Sequence, residues 1–372
     1  MKIPQENSIS NPEHYMQRAI QLALKADNQT EPNPIVGAVL VDGEGNVVSK
    51  GYHKKAGTPH AEVVALKDVS DIKEDATLFV TLEPCSHFGK TPPCTDLIIQ
   101  KKIKHVVVGC QDPNPIVAGR GIKILRENGI SVKVGVCETE CRNMNRVFNK
   151  HIVTQLPYVT IKSAISLDGK ISMPSGESQW ITGDKARAKG HLLRSRHQAI
   201  AVGSQTLKTD NPTLTDRISK NPRQPIRVVF SSSGIIQTES KFAQIKDTQR
   251  IILAGNIIDP QTVKQHENNG IVVHVADSKT PTIEWGLRQL YAEGICSLLL
   301  EGGGKLIASF LKEKMADQLY LFLSGKIIGG AKAPAWSGEI GVELLKDVPQ
   351  INFSNIEKVG EDLLITGFFD RF

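Results

Sequence analysis

Two stretches decide how the first half is read: Thr58-Pro59-His60-Ala61-Glu62, and Leu82-Glu83-Pro84-Cys85-Ser86-His87-Phe88-Gly89-Lys90-Thr91-Pro92-Pro93-Cys94. An imidazole at His60 and thiolates at Cys85 and Cys94 fill three positions of a tetrahedral zinc site and leave the fourth for water. Bound zinc lowers the pKa of water to about 7, so hydroxide is available at neutral pH. Glu62 is then the proton carrier rather than a fourth ligand. Residues two apart point to different faces of a regular helix. His60 and Glu62 therefore converge only if His60 sits at the helix start with non-helical dihedrals, and Pro59 suits such a start. Pro92-Pro93 puts Cys94 at a helix N-terminus, where the dipole favours thiolate.

The surroundings alternate helix and strand. Asn11-Pro12 caps a helix carrying Met16, Ala19, Ile20, Ala23 and Leu24 at helical spacing. Strands are expected over 35–41 and 47–52, joined by a turn at 42–45, then over 77–82, 105–110 and 131–136. Helices are expected from about residue 60, from 92 and over 121–128. A polar connecting helix spans about 138–155, with Pro157 beyond it. The pattern is an α/β sheet covered by helices on both faces.

An H-x-E followed by P-C and a second cysteine is the signature of zinc deaminases of bases. Here eight residues separate the cysteines instead of two, which adds a loop bearing His87 and Lys90. With Asp112-Pro113-Asn114-Pro115, these motifs resemble the bacterial bifunctional riboflavin-biosynthesis deaminase/reductases, and the likeness extends over essentially the whole chain. It implies a cytidine-deaminase-like α/β/α sandwich over 1–155 that deaminates 2,5-diamino-6-ribosylamino-4(3H)-pyrimidinone 5′-phosphate. By the same resemblance His60, Cys85 and Cys94 hold zinc, and Glu62 shuttles protons. Asn33, His87, Lys90, Asp112 and Asn114 contact the substrate. Read alone, Asn33 and Asn114 are equally turn asparagines before proline, and Lys90 is a solvated loop charge.

The second half, 156–372, restarts the pattern. Strands are expected over 158–165, 199–202, 226–230, 250–253, 271–275, 297–300, 319–323 and 362–368. Helices are expected over 185–195, 283–292 and 306–314. Leu300-Glu301-Gly302-Gly303-Gly304-Lys305-Leu306 runs a strand through glycines into a helix, a place where backbone N–H groups can cradle phosphate. It is neither a dinucleotide-binding fingerprint nor a P-loop. Together with residues 162–170, 178–182 and 202–206 leading to Asp210-Asn211-Pro212, it resembles the reductase partner of the same family.

That resemblance implies a dihydrofolate-reductase-like α/β domain using NADPH. Cofactor contacts fall at Ala164, Trp180, Thr206, Asp210, Ser232, Gly303, Gly304, Lys305, Leu306, Ile307, Ala308 and Ser309. The ribose phosphate substrate falls at Ser178, Arg194, Leu214, Arg217 and Glu301. The reduction converts a ribosylamine to a ribitylamine through an imine-like form, giving 5-amino-6-ribitylaminouracil 5′-phosphate. Asp210 or Lys162 is expected to assist the proton, as a buried group with an adjustable pKa.

Composition leaves this reading open and closes others. The chain has 372 residues, 40% hydrophobic and 23% charged, with a net charge of 45 − 39 = +6. That is ordinary globular composition of about two domains. Aromatics at 5% argue against extensive base-stacking surfaces. The N-terminal sixteen residues have no apolar core, and no apolar run nears the ~20 residues a span needs, so a cytoplasmic protein with no membrane partner is expected. Six cysteines form no disulfide framework; Cys110, Cys137, Cys141 and Cys296 are read as inert. The expected partner is a small phosphorylated aminopyrimidine and not nucleic acid, with a homo-oligomer, dimer first, as the assembly. Two competing readings are a nucleic-acid base deaminase with an RNA-binding domain and a non-catalytic module with a closed zinc site, for which His87 is the nearest fourth ligand.

Overall fold

The computed structural model describes residues 11–26, 29–88, 92–115, 117–218 and 224–370. The chain divides into two units, Met1–Gln155 and Leu156–Phe372. The first runs α1 (Pro12–Ala23), β1 (Gly37–Val41), β2 (Val47–Tyr52), α2 (Ala61–Leu66), β3 (Thr77–Leu82), α3 (Cys94–Gln100), β4 (His105–Cys110), α4 (Arg120–Glu127), β5 (Ser131–Val134), α5 (Glu138–Met144) and α6 (Arg146–Thr154). Its sheet has the order β2-β1-β3-β4-β5. β1 is antiparallel to both neighbours, and β3, β4 and β5 are parallel.

Alternation along the strands sorts the two cores. Ala38, Leu40, Leu78, Val80, Val106 and Val108 pack with Ala61, Ala65, Leu66, Ile98, Ile122 and Leu125 of α2, α3 and α4. Val39, Val41, Phe79 and Val107 face the other way, onto Met16, Ala19 and Ile20 of α1 and Cys141 of α5. The helices lie close enough to need glycine beneath them. A Cβ at Gly37 would stand 2.0 Å from the Ala19 carbonyl oxygen, and one at Gly51 would stand 2.4 Å from that of Ala61. Gly51 thus sets how near the first residue of α2 approaches the hairpin.

The connecting helix expected over 138–155 is broken into α5 and α6 at Asn145. The buried Asn145 amide accepts the Ile35 N–H and donates to the Ile35 carbonyl, both at 2.9 Å. This tertiary pairing outweighs helix continuity there. The last strand ends at Val134 rather than 136, because Gly135 turns with φ +98°.

The second unit runs β6 (Tyr158–Ile165), α7 (Asp184–Ser195), β7 (Ala199–Gly203), α8 (Ser204–Asp210), β8 (Ile226–Ser231), α9 (Lys241–Gln244), β9 (Arg250–Ala254), α10 (Pro260–Asn268), β10 (Val272–Val275), α11 (Ile283–Ala292), β11 (Ser297–Leu300), α12 (Gly304–Lys312), β12 (Gln318–Leu323), β13 (Ile351–Val359) and β14 (Asp362–Phe369). Its nine strands take the order β10-β9-β8-β7-β11-β6-β12-β14-β13. They are parallel through β12 and antiparallel at β14 and β13. The parallel strands read as near-continuous apolar runs because helices cover both faces. Helices α8, α9 and α10 and strand β13 were not expected from sequence. β13 lies at the sheet edge, largely exposed and rich in polar residues, so it carries no alternation to read. α10 does carry a signal: Asp259 accepts the Thr262 N–H at 3.2 Å, and Pro260 opens the helix. Among the described residues no helix is long and apolar enough to cross a membrane.

Arg227, the second residue of the apolar strand β8, is wholly buried. Its guanidinium donates to the carbonyls of Thr213 (3.0 Å) and Ile245 (3.1 Å) and to Asp247 (2.6 Å), so the charge is answered without solvent.

His197 makes stability pH-dependent. Its Nδ1 lies 2.7 Å from the Leu193 carbonyl, which only accepts, and its Nε2 lies 2.9 Å from the Thr160 hydroxyl. Nδ1 therefore carries the proton and Nε2 accepts. Desolvation pushes this histidine down to about 4. Between roughly pH 6.5 and 4 the unfolded state binds the extra proton, so stability falls as pH falls through that window, by at most about 3 kcal/mol. All three tryptophans, Trp180, Trp285 and Trp336, lie in the second unit and report its unfolding. In denaturant titrations followed by their fluorescence, His197→Gln should flatten the pH dependence between 4 and 6.5. An unchanged slope would contradict the assignment.

Candidate active sites

His60 caps α2 with extended dihedrals, φ −66° and ψ 163°, and Glu62 lies in the first turn. The non-helical start that convergence requires is present. His60 Nδ1 is 3.3 Å from Cys94 Sγ and 3.5 Å from Cys85 Sγ. Among the described residues these three form a group whose ligand atoms all lie within 4.8 Å of one another. One imidazole and two sulfurs suit zinc, and the three-ligand set suits an open site. His87 is exposed and lies outside that group, so the closed site it would complete is not formed here.

Three elements bring the ligands together. The α2 N-terminus supplies His60, the segment after β3 supplies Cys85, and the first residue of α3 is Cys94. The Cys94 N–H donates to Cys85 Sγ at 3.3 Å, and the Thr95 N–H donates to the Cys85 carbonyl at 3.2 Å. Hydrogen bonding from Cys94 draws the Cys85 thiol down to about 4. The Cys85 sulfur beside it, together with burial, pushes the Cys94 thiol up, against the helix-dipole expectation. A sulfur neighbour outweighs a seven-residue helix; a coordinated dication would deprotonate both thiols. Glu62 is buried, and desolvation, aided by Cys85, lifts its carboxyl to about 7. A group that titrates near neutrality is suited to taking and giving a proton.

The other residues expected around this site divide. Asp112 and Asn114 are half-buried, and Asp112 accepts the Asn114 N–H at 2.8 Å. Burial raises the Asp112 carboxyl, and the Asp112 N–H donates at 3.2 Å to Glu83, two residues before Cys85. Asn33 is exposed. Lys90 lies outside the described residues. His53 was missed by the sequence reading. It is buried, its Nδ1 is 3.2 Å from the Pro59 carbonyl, and its ring meets that of His60 edge to face at 5.5 Å. Its place directly after β2, facing the H-A-E helix, was the available signal.

In the second unit Glu301 is the electrostatic centre. Arg194 clamps it through Nε and Nη2, both at 2.9 Å, and Lys162 Nζ stands 3.7 Å away. Burial alone would raise the Glu301 carboxyl, but Arg194 and Lys162 hold it at about 2. Arg194 also donates to the Thr215 carbonyl at 3.0 Å. Leu214, buried with φ +54°, turns its side chain into the core. Only its backbone can face a ligand. Arg217 is exposed, with Nη2 3.4 Å from His191 Nε2.

The glycine turn is partly used by the protein itself. The Gly303 N–H donates to the Thr206 hydroxyl at 3.2 Å, and a Cβ at Gly304 would stand 2.4 Å from the Ala335 carbonyl oxygen. The turn still delivers the start of α12, residues 304–309, and Thr206 of α8 to the carboxyl-terminal ends of the adjacent strands β11 and β7. That end of a parallel sheet is where ligands bind. Trp180 is 57% exposed, and Arg187 stacks 4.5 Å from its ring centre. Ala164, Ser178 and Ser232 are half-buried. One expectation needs correction: Asp210 is exposed at the end of α8, not buried. Lys162, in β6, is half-buried and stands against Glu301.

Comparisons with known proteins agree with both halves. Residues 9–110 match the family model described as cytidine and deoxycytidylate deaminase zinc-binding region, and residues 157–365 match the RibD C-terminal domain. The riboflavin biosynthesis protein RibD of Aquifex aeolicus is 39% identical over 96% of this chain and 98% of its own. That of Escherichia coli is 38% identical over 95% and 98%. The structure of Acinetobacter baumannii RibD superposes with a TM-score of 0.87 at 32% identity, covering 98% of this chain and 100% of that one. A diaminohydroxyphosphoribosylaminopyrimidine deaminase/5-amino-6-(5-phosphoribosylamino)uracil reductase from Thermotoga maritima does so at 0.83 and 36%, covering 96% and 99%. The chain belongs to the RibD family: it is a bifunctional riboflavin-biosynthesis enzyme, a zinc-binding deaminase followed by a reductase that uses a nicotinamide cofactor.

Proposed function

We propose that the first unit deaminates 2,5-diamino-6-ribosylamino-4(3H)-pyrimidinone 5′-phosphate and that the second reduces the product's ribosyl group with NADPH, giving 5-amino-6-ribitylaminouracil 5′-phosphate. The observation that carries the first step is the buried Glu62 carboxyl beside the His60, Cys85 and Cys94 group. Zinc held by these three residues supplies hydroxide near neutral pH. Glu62 takes the proton of the attacking water and passes it to the leaving amine, so water enters and ammonia leaves. Asp112 and Asn114 offer acceptor and donor groups for the ring edge. Asn33, His87 and Lys90 complete the substrate contacts by family resemblance.

For the second step the carrying observation is the Glu301, Arg194 and Lys162 cluster. The nicotinamide supplies hydride to the anomeric carbon of the opened, imine-like sugar. Lys162 supplies the proton, with Glu301 holding its ammonium in place. Arg194, Arg217, Ser178 and the Leu214 backbone receive the ribose phosphate. Ala164, Trp180, Thr206, Asp210, Ser232 and residues 303–309 form the cofactor cradle. The enzyme acts on a small molecule and not on nucleic acid. We place it in the cytoplasm, where reducing conditions keep Cys85 and Cys94 free to bind metal. It assembles as a homo-oligomer, dimer first, a reading supported by Phe353 and Ile356, exposed on the edge strand β13.

A mass-spectrometric time course with the diaminopyrimidine ribosyl phosphate tests the scheme. The amine-to-carbonyl product should form without NADPH, and the ribityl product only with it. Formation of neither by zinc-loaded protein would overturn the substrate assignment. Glu62→Gln should slow ammonia release by about 10²–10⁴-fold while leaving reduction of added deaminated substrate intact. Lys162→Met should do the converse, slowing reduction by about 10²-fold at unchanged ammonia release. Full reductase activity in the Lys162 variant would remove that residue from the chemistry.

A further inference from the structure

Glu83 ends β3's run into the metal segment, two residues before Cys85, and it is buried. Its charge is answered by four backbone N–H groups. Oε2 accepts from Asp112 (3.2 Å) and Gly119 (2.9 Å). Oε1 accepts from Gly121 (2.9 Å) and Ile122 (3.3 Å). Two of these donors open α4, and the other two bracket the loop that joins β4 to it. A single carboxylate therefore ties the chain beside a metal ligand to both ends of the 112–119 loop. The approach is tight: a Cβ at Gly121 would stand 2.1 Å from the Pro84 carbonyl oxygen and 3.3 Å from Glu83 Oε1.

Pro113 and Pro115 remove two of the loop's donors. Within it the Val117 and Ala118 N–H groups donate to the Asn114 carbonyl at 2.9 and 2.8 Å. The Glu83 carboxylate ties both ends of the loop to the chain beside Cys85. The loop carries Asp112 and Asn114, placed at the substrate's ring edge above.

We propose that Glu83 is a positioning residue of the deaminase site: its carboxylate docks the Asp112–Asn114 turn against the Cys85 segment and so sets the pocket that receives the pyrimidine ring. The inference rests on the deaminase reading of this unit. Two N–H groups sit on each oxygen, so an amide NH2 sets donor against donor at both ends of the loop if it takes the place of Oε2, or at the start of α4 if it takes that of Oε1. Ring binding should suffer, while the metal ligands stay in place.

The test uses the full-length, zinc-loaded chain and Glu83→Gln. The expected result is one zinc per chain and a KM for ammonia release raised at least about tenfold, with kcat within about threefold. Reduction of added deaminated substrate, the internal control for the second unit, should be unchanged. Unaltered KM, or loss of zinc together with kcat, overturns the proposal. Amide hydrogen exchange of the unmutated chain supplies a second measurement that needs no variant. Asp112, Gly119, Gly121 and Ile122 should exchange as protected amides, and rapid exchange there also overturns it. If the unmutated chain releases no ammonia, the deaminase reading fails instead, and the exchange data alone judge the clamp.

Discussion

The deaminase unit depends on one backbone constraint: His60 must leave helical geometry at the residue where α2 begins. An imidazole and a carboxylate two positions apart diverge inside a helix. At φ −66° and ψ 163° the His60 side chain turns toward the cysteines, while Glu62 follows it in the first turn of the helix. Gly51 lets the first turn of α2 press against the hairpin, and the shared sheet presents Cys85 and the α3 start from the same end. The zinc ligands are thus held by three separate elements, each packed on one sheet.

The two sites manage buried charge differently. In the first, protonation of the sulfurs and of Glu62 is balanced among neighbours a few ångströms apart, which suits a centre meant to hold a dication and pass protons. In the second, Glu301 stays ionised because a guanidinium grips both its oxygens and an ammonium stands beside it. Such a carboxylate is a poor acid. It serves to orient Arg194 and Lys162, and this is why proton transfer is assigned to the lysine.

The strands and the zinc triad were legible because apolar runs and metal-ligand chemistry leave local marks. β13 left none, since an exposed edge strand rich in Asn, Ser, Glu and Lys carries no buried face. The break at Asn145 was hidden for a different reason: it follows from a pairing with Ile35, 110 residues away. Asp210 misled for a third reason. Its neighbours resemble a reductase motif, but motif membership says nothing about burial, and the end of α8 leaves it in solvent.

Residue types and spacing by themselves marked out the two-part α/β plan and the candidate metal group of His60, Cys85 and Cys94, and the motifs they form resembled the family. Each of these is written in short stretches whose chemistry admits few alternatives. Tertiary structure alone decided what the buried charges do. Arg227 inside an apolar strand, Glu83 across four backbone N–H groups and Glu301 in its cationic clamp are ordinary residues in sequence. Their partners lie 14 to 139 positions away. Whether a charge is a solvated ornament or a fixed anchor depends on the desolvation it suffers and the partners that answer it, and both exist only in the folded chain.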